Sequence, residues 1–250
     1  MPRLPAAAAP ARPMRARLFA TAAVLLPLAG VVLLQEPSNA ASESQLLPSP
    51  IMDSKPPAGG AHGSETAVLA GGCFWGVQGV FEHVRGVERV VAGYSGAAAN
   101  TAEYETVSDG ATGHAEAVQI TYDPAQISYG HILRIFFSVA LDPTEVNRQG
   151  PDTGTQYRSE IFYATPEQEQ VARAYVAQLD RTHAFPRPIA TRVDPLTGFY
   201  PAEAYHQDYL VRHPGNPYIV INDLPKVNDL RRMFPDSYAA QPVLALRPAS

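Results

Sequence analysis

The chain has 250 residues, 46% of them hydrophobic and 17% charged, which suffices for one packed domain with additional terminal segments. Its formal net charge is −5. Residues 1–40 hold four arginines against Glu36, a net of +3, so the remainder carries −8 of that total. An acidic body excludes general nucleic-acid binding, because that function requires a basic surface.

The first forty residues have the pattern of a targeting segment. Arginines precede an apolar stretch from Leu18 to Leu34, and Ser38-Asn39-Ala40 fits a small-residue cleavage site. Cleavage before Ala41 would release an exported protein, periplasmic or extracellular. The alternative is an uncleaved membrane anchor, for which the apolar stretch is at the lower limit of length. We favour a signal peptide over residues 1–40, and both alternatives place the body outside the cytoplasm.

Composition divides the rest of the chain into three parts. Residues 41–64 are rich in Ser, Pro, Ala and Gly and predict a flexible linker. Residues 65–238 alternate between strand and helix patterns and predict the folded domain. Residues 239–250 are rich in Pro and Ala and predict a loose C-terminal tail.

Hydrophobic periodicity predicts the elements of the folded domain. The predicted strands cover residues 66–70, 87–94, 115–122, 159–163 and 189–193, and the predicted helices cover residues 73–84, 127–141 and 166–179. Thr165 is expected to cap the last of these helices, because proline follows it at the first helical position. This alternation predicts the α/β class, as an α+β two-layer sandwich with a mixed central sheet.

Cys73 is the only cysteine, so the chain contains no intrachain disulfide. It follows the turn Gly71-Gly72 at the start of a predicted helix, where unpaired backbone N–H groups favour a thiolate. A thiolate is a strong nucleophile, and the neighbouring Phe74 and Trp75 could wall a small apolar pocket. From this segment alone, a buried structural cysteine is an equally good interpretation.

Two further segments carry candidate chemistry. His114 and Glu116 lie on one face of a predicted strand, where an inward carboxyl group would have a raised pKa and could donate a proton. A solvated surface glutamate is the alternative. A zinc-deaminase site would need further cysteines and is excluded. Residues 147–159 form a polar loop with two glycines and a proline, which predicts a structured functional loop or a simple turn.

Together these segments resemble the A-type peptide methionine sulfoxide reductases. The resemblance is carried by Gly72-Cys73-Phe74-Trp75-Gly76, by the block from Tyr104 to Glu116 with its Thr-Gly-His-Ala-Glu end, by the loop from Gln149 to Ser159, and by Ala202-Glu203 with Tyr205-His206-Gln207. It covers roughly residues 65–225, and it implies the ferredoxin-like arrangement of that family, with residues 65–238 as the catalytic reductase domain.

The resemblance implies a role for each site residue. Cys73 would attack the sulfoxide sulfur and become a sulfenic acid, and Glu116 would protonate the departing oxygen. Tyr104 and Tyr157 would hydrogen-bond that oxygen, and Asp152 would orient the polar side of the pocket. Phe74 and Trp75 would hold the substrate methyl group. The expected substrate is the S epimer of methionine sulfoxide, free or protein-bound, with no metal or organic cofactor and a monomeric enzyme. No catalytic role follows for Tyr205 or His206.

The sequence departs from that family pattern in two places. The loop from Ser95 to Glu103 lacks the usual second glycine and the proline before Tyr104. No resolving cysteine exists, so regeneration requires an external thiol, and we expect a thioredoxin-like reductant. Two alternatives remain open: a redox sensor that traps oxidant at Cys73 without turnover, and a cysteine hydrolase, which would need a histidine oriented on the thiol.

Overall fold

The computed structural model describes residues 44–54 and 63–246. It confirms the predicted α/β class, because helices pack on a mixed six-stranded sheet. Within the described ranges, no helix is long and apolar enough to cross a membrane. The predicted signal peptide or anchor over residues 1–40 lies outside the described residues.

The central sheet has the strand order β7-β6-β1-β3-β2-β8. The strands are β1 (Glu65–Gly71), β2 (Val87–Ser95), β3 (Ala115–Tyr122), β4 (Arg148–Gln149), β5 (Asp152–Thr153), β6 (Ser159–Tyr163), β7 (Arg192–Pro195) and β8 (Phe199–Pro201). Only the pair β6 and β7 is parallel among the six, and β4 with β5 forms a separate small hairpin. The sheet is therefore mixed, as predicted.

The predicted strand at 189–193 is displaced to β7, which starts at Arg192. The backbone N–H of Ile189 donates to Asp180, and that of Ala190 donates to the carbonyl of Pro143. These amides are therefore committed to partners outside the sheet, and strand pairing begins only beyond them. The short strand β8 was not predicted, since three residues carry too little periodicity to detect.

The described residues form six α-helices. They are α1 (Phe74–Glu82), α2 (Tyr104–Ser108), α3 (Tyr129–Ile135), α4 (Pro166–Arg181), α5 (Tyr209–Arg212) and α6 (Leu224–Met233). The predicted helix at 127–141 is α3 followed by a π-helical turn, Phe136–Ala140. The predicted cap of α4 is confirmed, because the Thr165 hydroxyl accepts the N–H of Gln168 at 3.2 Å. Helices α2, α5 and α6 were not predicted.

The two faces of the sheet are packed unequally. Along β1, Ala67 and Leu69 face the main core, which includes buried residues of α1, α3 and α4. The alternating residues Val68 and Ala70 face a small second cluster with Phe162. Because the main core lies on one face of the sheet, the helices of that core pack on this face. This packing positions α1 and Cys73 at its N-terminus.

Residues 44–54 differ from the expected flexible linker. Leu47 is buried, its N–H donates to Ser138, and its carbonyl accepts the guanidinium of Arg134. Asp53 accepts hydrogen bonds from Ser128 and the N–H of Gly130 at the start of α3. Hydrogen bonds thus join this segment to the folded domain, although its composition is typical of a linker.

Residues 239–246 differ from the expected loose tail in the same way. The amides of Ala239 and Val243 donate to carbonyls at the end of α1. The amides of Ala245 and Leu246 donate to the two carboxyl oxygens of buried Asp208. Four backbone hydrogen bonds therefore hold a segment whose proline and alanine content had predicted mobility.

Candidate functional site

Cys73 lies at the junction between β1 and α1, as the N-cap residue of the helix. Gly72 has φ +90°, and a Cβ atom there would lie 2.5 Å from the side chain of Gln149. Only glycine permits both this backbone conformation and the close approach of the loop that carries Asp152. The turn therefore places the cysteine at the helix end and brings the 147–159 loop against it.

The Cys73 thiol is buried, and its pKa lies well above its ordinary value. Burial is the main cause, and the carboxyl groups of Glu116 and Asp223 add to it. The backbone N–H of Trp75 donates to the sulfur and lowers the pKa, but it does not compensate. Desolvation thus outweighs the helix N-terminus, and the structure favours the neutral thiol over the thiolate expected from the sequence.

Glu116 lies on β3 and points inward, with 3% of its surface exposed. Its Oε2 accepts the N–H of Phe74 at 3.0 Å, which places the carboxyl at the same helix end as Cys73. Burial raises the pKa of Glu116 to about 8, against the lowering effect of that hydrogen bond. At neutral pH this group is largely an uncharged carboxylic acid that can donate a proton.

Aromatic rings surround the residue after the thiol. Phe74 is buried, with its ring centroid 5.1 Å from that of His206 and 5.9 Å from that of Tyr94. Trp75 stacks on Tyr209 at 3.8 Å, and its indole nitrogen donates to Nδ1 of His206 at 3.2 Å. His206 thus supports the aromatic wall. In the described part of the chain, no histidine hydrogen-bonds to the Cys73 thiol.

Tyr104 and Tyr157 come from separate elements and lie near both reacting groups. The pKa of each is raised, mainly by burial, and the charges of Glu116 and Cys73 contribute to both shifts. Tyr104 starts α2, where its N–H donates to Glu203 at 2.9 Å. Glu203 therefore fixes the end of the loop whose departure from the family pattern made the position of Tyr104 hard to predict.

A second group of polar residues reaches Cys73 from the C-terminal part of the chain. The Tyr218 hydroxyl donates to Asp152 in a short hydrogen bond. Asp223 is fully buried, its pKa is raised by burial, and Nζ of Lys226 lies 3.3 Å from its Oδ1. A Cβ at Gly76 would clash with the Asp223 carboxyl, so this acid packs directly against the first turn of α1.

Sequence analysis missed Tyr218, Asp223 and Lys226. The detectable signal was the spacing of Leu224, Val227 and Leu230, three residues apart with Pro225 in the first turn, which predicts α6. Within the described ranges, no group of three His, Cys, Asp or Glu side chains is placed to hold a metal ion.

The arrangement is that of a thiol-dependent reductase. A buried thiol, an uncharged acid and two tyrosine hydroxyls meet beside an aromatic wall, which suits removal of an oxygen atom from a small apolar group. The sequence profile of the peptide methionine sulfoxide reductases matches residues 65–238, and the chain belongs to that family of oxidoreductases.

Curated relatives and solved structures agree with this assignment. The chain is 57% identical over 186 residues to a peptide methionine sulfoxide reductase of Mesorhizobium japonicum, covering 74% of this chain and 95% of the relative. It is 54% identical to one from Synechocystis, covering 79% and 92%. Its fold is similar to methionine sulfoxide reductase A of Corynebacterium diphtheriae, with TM-score 0.53, 32% identity and coverage of 72% and 90%. It is also similar to reduced Mxr1 of Saccharomyces cerevisiae, with TM-score 0.55, 30% identity and coverage of 65% and 91%.

Proposed function

We propose that the chain reduces methionine S-sulfoxide, free or in proteins, by transferring the sulfoxide oxygen to Cys73. The thiol sulfur attacks the sulfoxide sulfur while Glu116 gives its proton to the oxygen, and the thiol proton returns to Glu116. The oxygen then migrates to Cys73, so that thiol plus sulfoxide gives sulfenic acid plus thioether. Tyr104 and Tyr157 stabilise the oxygen, and Phe74 and Trp75 hold the methyl group.

One observation carries this proposal. The Glu116 carboxyl accepts the N–H of Phe74, the residue directly after Cys73, and burial keeps that carboxyl protonated near neutral pH. An acid and a nucleophile are therefore held at one helix end by adjacent residues of the backbone. Neither a thiol trap nor a structural cysteine requires an acid with a pKa of about 8 at this position.

Replacing the acid tests the proposal. We expect Glu116→Gln to slow the formation of methionine in a single turnover by about 10²- to 10⁴-fold, the usual contribution of a positioned acid. The control is Glu82→Gln, since Glu82 is a similarly buried carboxyl with a raised pKa that lies at the opposite end of α1 from Cys73. If Glu116→Gln keeps the full single-turnover rate, Glu116 is not the acid of this reaction.

The presence of a single cysteine determines which kind of thiol can regenerate Cys73. With one cysteine, the sulfenic acid cannot form an internal disulfide, so an external thiol must attack it. We propose a thioredoxin-like protein as that reductant and a monomeric enzyme as its partner. If dithiothreitol or thioredoxin added after the first turnover fails to restart methionine formation, this part of the proposal is wrong.

The two alternative functions are weaker. A hydrolase would need a histidine on the thiol, and His206 instead accepts the Trp75 indole. A non-cycling sensor would not need Glu116. Comparing Cys73→Ser, Glu116→Ala and the parent for reduction of a labelled sulfoxide separates these functions, because only a reductase loses methionine formation in both variants.

We also propose that the protein acts outside the cytoplasm. The support is the arginine-flanked apolar stretch and the small-residue cleavage pattern of residues 1–40. The N-terminal residue of the protein recovered from cells tests this. A start at Ala41 supports a cleaved signal peptide, a retained leader in the membrane supports the anchor, and an intact leader in the cytosol contradicts both.

A further inference from the structure

A cavity of about 290 Å³ adjoins Cys73 and Asp152. Its lining includes Cys73, Leu141, Asp152, Tyr218, Ile221 and Lys226. The residues of the proposed sulfoxide site do not line it, with the exception of Cys73 and Asp152; those that do not are Phe74, Trp75, Tyr104, Glu116 and Tyr157. The acid and the two tyrosines that would receive the oxygen are therefore not part of the cavity wall, while Cys73 and Asp152 are common to the cavity and the proposed sulfoxide site.

The chemistry of sulfenic acid reduction requires a second approach to sulfur. A thiolate that displaces a group from divalent sulfur attacks along the line opposite the bond that breaks. Because Glu116 and the two tyrosines receive the oxygen, the sulfenic acid S–O bond points toward them. The incoming thiol must then reach Sγ from another side, and the cavity between the 147–159 loop and the segment around Ile221 provides such an approach.

We propose that this cavity is the route by which the regenerating thiol reaches Cys73. The inference rests on the proposed function and adds the place where its reductant acts. The incoming sulfur forms a bond to Sγ, the S–O bond breaks, and the hydroxyl leaves as water with a proton from Glu116, which recovers a proton from the incoming thiol. The product is a mixed disulfide, which a second thiol of the reductant cleaves, returning Cys73 to the thiol and oxidising the reductant to a disulfide.

The lining defines the chemical class of the occupant. Leu141, Ile221 and Pro225 give the cavity an apolar component, and its volume is at the lower end of ligand-sized pockets. Lys226 is the one basic residue of the lining and lies 3.3 Å from Asp223, whereas Asp142, Glu145, Asp152 and Asp229 bring four carboxyl groups to the wall. The wall therefore favours an uncharged or cationic thiol over an anionic one. The cavity thus suits a short aliphatic thiol, supplied by a small dithiol or by a cysteine on a projecting loop of a protein.

Blocking the cavity separates the two half-reactions. Ile221 is 70% exposed and lines the cavity, whereas its neighbour Val220 is 48% exposed and does not. The burst is the methionine formed in the first turnover without reductant, and we expect its rate in Ile221→Trp to stay within about twofold of the parent. Recovery of the free Cys73 thiol should be about tenfold slower in this variant, because regeneration depends on access to the sulfur. Val220→Trp is the matched control and should change neither rate.

Both sources of thiol are assayed, dithiothreitol and a thioredoxin, with thiol recovery followed after the burst. Slower recovery with both supports a common route, and slower recovery with thioredoxin alone assigns the cavity to a protein cysteine. Unchanged recovery with both overturns the inference. A reduced burst in Ile221→Trp would also overturn it, since the cavity would then admit the sulfoxide. The absence of any burst in the parent would instead contradict the proposed function.

Discussion

The two sides of Cys73 differ in origin and in chemistry. On one side, Glu116 and two tyrosines come from segments 104–157 and place an uncharged acid and hydroxyl donors near the sulfur. On the other side, three residues come from the C-terminal part of the chain. Tyr218 and Lys226 line the cavity, and Asp223 packs against the first turn of α1 beside Lys226. Under the proposed route, one thiol serves two half-reactions, with the acid on one surface and the approach of the reductant on the other.

The largest expected effect belongs to the oxygen-binding side. Removing both hydroxyls with Tyr104→Phe and Tyr157→Phe should slow single-turnover methionine formation by more than the roughly 10²- to 10³-fold found for the loss of a single oxyanion donor. Recovery of the thiol from a preformed sulfenic acid should change far less. Tyr205→Phe is the control, because Tyr205 is exposed and its ring lies against His206 in a tilted arrangement. An equal loss in both half-reactions would contradict the separation of the two sides.

The acid that serves the reaction should also reduce stability at high pH. The pKa of Glu116 rises from 4.5 to about 8 on folding, so the folded state binds the extra proton and stability falls as pH rises between these values. At pH 9, Glu116→Gln should unfold with roughly 5 kcal/mol more free energy than the parent, at about 1.4 kcal/mol per pKa unit. Denaturant melts at pH 4 and pH 9 check this, with no difference expected at pH 4.

The pH dependence of oxygen transfer follows from the same group. Above pH 8 Glu116 ionises and can no longer donate, so the single-turnover rate should fall about tenfold per pH unit. In Glu116→Gln this decline should disappear, although the overall rate is lower. A parent profile that keeps rising through pH 9 would show that the thiolate, and not the acid, controls the step.

Much of the fold could be predicted from the sequence because the hydrophobic periodicity of its longer strands and helices is strong. Strands β1, β2, β3 and β6 and helices α1 and α4 lie where alternation and capping predict them. The unpredicted parts, such as β8 and α5, have only three or four residues, and their conformation depends on tertiary contacts that a local pattern does not contain.

The site was accessible only in part. The motifs around Cys73, Glu116 and Asp152 are local and could be recognised. The charge state of Cys73 could not, since it depends on a buried carboxyl at position 223 that lies 150 residues away in sequence. Burial and a distant acid together reversed the effect expected from the helix N-terminus.

The smallest expected effect tests that distant acid. Asp223→Asn removes a carboxyl that raises the pKa of Cys73, so the pH midpoint of Cys73 alkylation by a small electrophile should fall. Asp229→Asn is the control, as Asp229 pairs with Arg232 and does not contribute to the Cys73 shift. An unchanged midpoint in Asp223→Asn would leave burial, Glu116 and Asp152 as the causes of the raised pKa of Cys73.

The most direct test of oxygen transfer is the fate of Cys73 after one turnover without reductant. Protein mixed with excess methionine S-sulfoxide is treated with a sulfenic acid-specific reagent, and intact mass is measured together with the methionine released. We expect one methionine per protein molecule and one adduct on Cys73, with neither in Cys73→Ser. Methionine released without an adduct on Cys73, or by Cys73→Ser, would contradict the account.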